Sequence, residues 1–279
     1  MVNPGDDQPN DDGTVDEQES YRFATRSPFK RDPAHGRQRL RRGVYLLPSL
    51  FTLGNMFCGY LCILYAIRGE FERAAPYIGL AVVLDMLDGR IARMTKTESA
   101  FGIEFDSLAD VISFGVAPAV LAFGWGLEPL QRLGWAAGFI YVAATAIRLA
   151  RFNIQTGHTV DKRYFVGLPC PAAAAIPAST VFFYAEGFKQ PHSALIAFAV
   201  VLVPAFLMVT TIRYRSFKTF DLRKRRSYKV LGLLAIAYAA LQVRPEVLLV
   251  VISYAYLLSG LVGLLWGRLR RRRTPAPAA

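Results

Sequence analysis

The sequence predicts an all-α, polytopic membrane protein of about eight spans. Apolar runs of roughly 20 residues, enough to cross a ~30 Å hydrocarbon core as helix, recur along a chain of 279 residues that is 53% hydrophobic. The basic residues fall in alternate loops, and few acidic residues interrupt the apolar region.

Taken in order, residues 1–20 hold seven acidic residues and no Lys or Arg, a solvated tail expected to be disordered. No basic stretch followed by a short apolar run opens the sequence, so no cleaved signal peptide is expected. Residues 21–45 form a basic juxtamembrane segment, in which Pro28, Pro33 and Gly36 are expected to interrupt any long surface helix. Spans are predicted at 46–67, 74–94, 105–125, 133–152, 170–185, 193–212, 230–243 and 247–266. The fifth and seventh are short, so one of them is expected to be tilted or partly interfacial. A basic tail, 268–279, closes the chain.

Basic residues set the orientation. Segments 21–45, 90–96, 148–163, 213–229 and the C-terminus hold 28 Lys and Arg, while the other loops hold only Arg68, Arg73, Arg132, Lys189 and Arg244. The positive-inside rule then places both termini in the cytoplasm. The same distribution argues against nucleic acid as a partner despite a net charge of +12, because the charge follows membrane side. Cys58, Cys62 and Cys170 lie in apolar segments without C-x-x-C spacing and are expected to pack.

Four carboxylates at the cytoplasmic ends of the second and third spans carry the chemistry. Asp85, Asp88, Gly89, Ala92, Arg93, Gly102, Asp106 and Asp110 form the pattern D-x2-D-G-x2-A-R-x8-G-x3-D-x3-D. On helices, Asp85 and Asp88 lie about 60° apart and Asp106 and Asp110 about 40° apart, so each pair shares a face. Like charges in a low-dielectric setting need a positive partner, and a hard divalent cation, Mg or Mn, suits four carboxylates. Gly89 and Gly102 leave room for a phosphate or nucleotide near the backbone, and Ala92 keeps the same face shallow. Arg93 can neutralise a second phosphate by forked hydrogen bonds. A cation transporter could use such a cluster but has no need of the fixed Gly, Ala and Arg positions. Phosphoryl chemistry uses them all.

The pattern resembles that of the CDP-alcohol phosphotransferase family of integral membrane enzymes, and every fixed position matches. The resemblance implies a six-helix core over 46–218, with 219–267 as an additional pair of spans. It implies that Asp85, Asp88 and Asp106 bind divalent metal, with Asp110 as general base or further metal ligand. It also implies a homodimer, and transfer of a phosphatidyl-type group from a CDP-linked donor to an alcohol with release of CMP.

Three flanking stretches resemble the membrane-integral phosphatidylserine synthases of that family. They are Leu47-Pro48-Ser49-Leu50-Phe51-Thr52-Leu53-Gly54-Asn55 with Gly59, Ile147-Arg148-Leu149-Ala150-Arg151-Phe152-Asn153 with Gly167-Leu168-Pro169-Cys170-Pro171, and Ile212-Arg213-Tyr214-Arg215-Ser216-Phe217-Lys218. Cys170 departs from the Ser or Thr usual there. The resemblance implies CDP-diacylglycerol and L-serine as substrates, in the bacterial inner membrane with the site facing the cytosol. The phosphatidylglycerophosphate- or phosphatidylinositol-forming members are the alternative. Asn55 is a candidate contact to the CDP moiety, whereas Thr52 and Gly59 fit a packing stripe equally well. Arg148 and Arg151, at i and i+3, are candidates for the serine carboxylate, a group that a neutral polyol lacks. Topological anchoring accounts for two such arginines too.

Overall fold

A computed structural model describes residues 35–95, 99–155, 164–215 and 242–273, together with the single positions 232, 235 and 239. Contacts divide the chain into the units Met1–Arg41 and Arg42–Ala279, and the second holds the helical bundle. The fold is all-α apart from one two-stranded ribbon.

Helix α1, His35–Ile67, runs through Gly36, which therefore does not interrupt it, while Pro28 and Pro33 lie outside the described residues. One Gly costs only about 1 kcal/mol within a helix. A turn through Gly69 (φ 75°) leads to α2, Phe71–Thr95. Ser99 then accepts the Gly102 N–H at 3.0 Å and caps α3, Ala100–Asp110. The capped turn is close-packed, since a side chain at Gly102 would press on the Ser99 hydroxyl.

The third span continues to Leu130 through two π-helical stretches, Val111–Val116 and Phe123–Leu127, either side of α4, Ala117–Ala122. Pro118 supplies a reason for the first. It has no N–H to return, and Ala117 bonds five residues back to Ile112. Helix α5, Arg132–Gln155, returns across the bundle. The strands β1, Tyr164–Val166, and β2, Arg213–Arg215, pair antiparallel and bracket α6, Cys170–Phe183, and α7, Pro191–Val209. Helix α8, Pro245–Arg273, packs on α6 and β2.

Among the described residues five helices are long and apolar enough to cross a membrane, and α6 is a shorter apolar one. Helix α2 has the length, 25 residues. The motif's own aspartates and arginines lower its hydropathy. At 14 residues, α6 spans only ~21 Å, shorter than predicted. It is mostly interior, with Cys170, Ala173, Ala174, Ile176, Pro177, Ala178, Ser179 and Val181 buried, and so needs no full-length lipid-facing surface. The expected seventh span, 230–243, lies largely outside the described residues. All three cysteines are buried and unbridged, as packing residues should be.

The core runs along the third span. Phe114, Leu121, Trp125 and Leu127 are fully or almost fully buried against α5, α6 and α7. Helix α1 meets the same span at Gly59, where a Cβ would come within 2.8 Å of the Ser113 backbone. Gly59→Val should therefore cost about 1–3 kcal/mol by overpacking, read as a lower unfolding midpoint in detergent. An unchanged midpoint would mean that this contact is not tight.

Candidate active site

The two carboxylate pairs predicted from helix register converge. Oxygens of Asp85, Asp88 and Asp106 lie within 4.8 Å of one another, drawn from the end of α2 and the middle of α3. Asp88 is buried, and Asp85 and Asp106 are half-buried. Asp110, one turn further along α3, is buried beside this triad without being part of it. Among the described residues no Lys or Arg forms an ion pair with any of the four; the ion pairs present are Arg73–Glu70 and Arg244–Glu246.

Hydrogen bonds from α1 fix two of the four. Thr52 Oγ1 donates to Asp88 Oδ2 at 2.8 Å, and Asn55 Nδ2 donates to Asp110 Oδ1 at 3.1 Å. The Ser113 hydroxyl, one turn beyond Asp110, donates to the Asn55 carbonyl at 2.9 Å. Thus the stripe Thr52, Asn55, Gly59 is both a packing seam and a polar support, and the two readings of Thr52 and Gly59 are not exclusive. Asn55 is fully buried, with its amide committed to Asp110.

The donor set suits a hard cation. Asp106 Oδ1 and Asn55 Oδ1 are buried oxygen acceptors with no hydrogen-bond donor. Three close carboxylates, one with an orphaned oxygen, and no ammonium or guanidinium in an ion pair with them form an all-oxygen cradle of the kind Mg or Mn takes.

Arg93 is exposed, two turns from Asp85 on the same helix. Its guanidinium folds back over Gly89, within 3.6 Å of where a Cβ would stand. Ala92 is half-buried and Gly102 sits in the first turn of α3.

On α5, Arg148 Nη1 donates to the Cys170 thiol of α6 at 3.4 Å, while its Nε is buried without a hydrogen-bond partner. A half-satisfied guanidinium of this kind can accept a carboxylate. Arg151 is half-buried one turn away. Asn153 Nδ2 donates to Ser107 Oγ at 3.0 Å and ties α5 to α3 between Asp106 and Asp110. Sequence reasoning missed Ser107, Ser113 and the Arg148–Cys170 contact. Ser107 sits on the motif helix and Ser113 one turn beyond it, and polar residues inside an apolar span were the available signal. A cleft of about 550 Å³ lined by Gly69, Glu70, Phe71, Glu72, Arg73, Ala185 and Glu186 lies some 20 Å along α2 from Asp85, and has no part in this site.

The comparisons agree with the geometry. The chain is 40% identical over 224 residues to a CDP-diacylglycerol–serine O-phosphatidyltransferase of Helicobacter pylori, covering 78% of this chain and 91% of that one. It is 39% identical over 170 residues to an archaetidylserine synthase of Methanothermobacter thermautotrophicus, 60% of this chain and 69% of the other. A CDP-diacylglycerol–serine O-phosphatidyltransferase of Bacillus subtilis is 31% identical over 172 residues, 62% and 91% respectively. The family model for CDP-alcohol phosphatidyltransferase matches residues 45–212, from the α1 segment bearing Thr52 and Asn55, through all four aspartates, to the base of β2. The chain belongs to the CDP-alcohol phosphatidyltransferase family.

Proposed function

We propose that this protein transfers the phosphatidyl group of CDP-diacylglycerol to the hydroxyl of L-serine, giving phosphatidylserine and CMP. The carrying observation is the convergence of Asp85, Asp88 and Asp106 beside a separate buried carboxylate, Asp110, that is held by Asn55. Relatives bearing that activity in their names, similar over most of the chain, support serine over glycerol 3-phosphate or inositol as acceptor.

Asp85, Asp88 and Asp106 would hold the divalent cation, Mg or Mn, with Asp110 available as a further ligand. Such an ion supplies charge neutralisation at the donor's pyrophosphate and at the phosphate that departs with CMP. Gly89, Ala92 and Gly102 admit the CDP moiety to the gap between α2 and α3, with Asn55 at its floor. Arg93 binds a phosphate oxygen at the mouth. Asp110 takes the proton from the serine hydroxyl as that oxygen forms its bond to the phosphatidyl phosphorus. The bond from phosphorus to the CMP oxygen breaks, and CMP leaves with the electron pair. Arg148, with Arg151 beside it, pairs with the serine carboxylate.

The acyl chains remain in the bilayer beside α2 and the third span, where Leu80, Val83, Met86, Leu87 and Leu108 are exposed. By the basic-residue bias the site faces the cytosol of a bacterial inner membrane, with both termini cytoplasmic. The catalytic domain is 46–218, and the working unit is a homodimer.

The test is CMP release by the purified chain in detergent, with CDP-diacylglycerol and serine, glycerol 3-phosphate or inositol in turn. Serine should support turnover that EDTA abolishes and Mg or Mn restores. Turnover only with another acceptor would overturn the serine assignment. Arg148→Gln should raise the KM for serine about 10- to 150-fold, the worth of one charge-assisted hydrogen bond, and leave the KM for CDP-diacylglycerol nearly unchanged. Full tolerance of neutral residues at Arg148 and Arg151 would remove both from the acceptor pocket.

A further inference from the structure

Cys170 differs from a packing cysteine in one contact. Its sulfur, fully buried, receives Arg148 Nη1 at 3.4 Å. A thiol is a weak acceptor, and the same guanidinium buries its Nε with no hydrogen-bond partner. Among the described residues no carboxylate forms an ion pair with Arg148. A cation partly withdrawn from water is costly while its donors go unmet. The arginine is therefore held by one weak contact and has a donor and its charge to spare.

The chain around Cys170 keeps the sulfur still. Gly167 adopts φ 79°, and any side chain there would collide with the Met208 carbonyl. Its N–H donates to Ile212 O at 2.8 Å and that of Leu168 to Leu207 O at 3.0 Å, so the chain entering α6 is pinned to the end of α7 and to the residue before β2. Pro169, at φ −58° and ψ 140°, turns the chain into α6, and its carbonyl accepts the Ala173 N–H at 2.9 Å. Pro171 fixes the backbone again immediately after Cys170. Arg148 is the flexible member of the pair, since an arginine side chain carries about 2 kcal/mol of rotamer entropy. An acceptor mounted on rigid backbone thus selects the rotamer in which that arginine waits.

We infer that Cys170 is a positioning residue for Arg148, and that the 167–171 turn thereby sets how tightly this protein holds the carboxylate of its acceptor. The inference rests on the serine reading of the site. The thiol holds one Nη in place. Being neutral, it leaves the positive charge uncancelled and the Nε–H available to a carboxylate. The contact acts on acceptor binding and leaves the triad and Asp110 untouched.

The experiment measures initial rates of CMP release by the full chain in detergent, varying serine and CDP-diacylglycerol separately. Cys170→Ala removes the acceptor and should raise the KM for serine about 3- to 10-fold, the range of one ordinary hydrogen bond, with kcat and the KM for CDP-diacylglycerol nearly unchanged. Cys170→Val, which fills the volume of the thiol without an acceptor, should match it. Cys170→Ser restores an acceptor and should return the KM for serine close to that of the unaltered chain. A cysteine that only packs predicts the reverse order, because Ser buries a hydroxyl in an apolar site and Val does not. Combined with Arg148→Gln, Cys170→Ala should add no further increase, because both changes act through one contact. L-Serinamide, which lacks the carboxylate, should be used equally well by the Cys170→Ala variant and the unaltered chain. An unchanged KM for serine in the Ala and Val variants, a Ser variant no better than Ala, a parallel rise in both KM values, or full additivity with Arg148→Gln would overturn the role of Cys170 and leave the serine reading standing. Absence of serine-dependent CMP release from the unaltered chain would overturn both.

Discussion

Asparagine in place of Asp85, Asp88 or Asp106 is expected to abolish CMP release while the protein still folds. Each substitution keeps the shape of the side chain but removes one of three charges whose oxygens lie within 4.8 Å of one another. No guanidinium or ammonium among the described residues offsets those charges by an ion pair, so the folded chain loses no ion pair with them. A divalent cation held by the triad would lose one of its anionic ligands, and with it part of the charge neutralisation it would supply at the departing phosphate, an effect of several kcal/mol. Asp88→Asn should also disturb α1, since Thr52 donates to that carboxylate at 2.8 Å, whereas Asp85→Asn should not. The measurement is turnover against Mg or Mn concentration, alongside the unfolding midpoint with and without metal. The unaltered chain should be stabilised by metal and the three variants should not. Near-normal turnover at limiting metal in two of the three would sink the assignment.

That these four carboxylates could be picked out from sequence follows from two properties of helices; the division into a triad and Asp110 was implied by the family resemblance. Spacings of three and four residues place side chains on one face, and charged residues inside apolar spans are few enough to be conspicuous. The pairs Asp85/Asp88 and Asp106/Asp110 needed nothing more. Register along one helix says nothing of what lies across a gap, however. Thr52 and Asn55 were visible as a polar stripe on α1, but that Thr52 would reach Asp88 and Asn55 would reach Asp110 depends on how α1 packs, which Gly59 sets by its closeness to Ser113. The contact of Arg148 with Cys170 is of the same kind, joining α5 to α6.

The ribbon itself left almost no trace. Its strands are three residues long and some fifty residues apart, too short for alternation to show. The π-helical stretches of the third span were equally silent, because Pro118, Gly115 and Gly124 each have other uses in a membrane helix. Span limits moved for a related reason. The third span was expected at 105–125 and α3 begins at Ala100, since a Ser99 cap rather than a change in hydropathy starts it. Capping and packing fix these boundaries, and hydropathy sees neither.

Asp110→Asn should lower turnover by about two to four orders of magnitude, the usual worth of a general base, and should change CDP-diacylglycerol binding much less. The structure separates Asp110 from the other three by standing it outside the close triad. Its Oδ1 is held by Asn55, as Asp88 is by Thr52, and Asn55 is itself fixed by Ser113. A base that must accept a proton from a bound hydroxyl gains from being oriented while keeping its second oxygen for the acceptor, and a single amide donor achieves that. The same geometry predicts a weaker companion effect. Asn55→Ala frees the carboxylate to rotate and should reduce kcat by a smaller factor than Asp110→Asn, and the two losses should not multiply when combined, because Asn55 acts through Asp110. Single-turnover rates with saturating donor separate chemistry from binding. If Asp110→Asn instead abolished donor binding and left turnover at saturation intact, Asp110 would be a metal or donor ligand, and the serine proton would need another acceptor at this site.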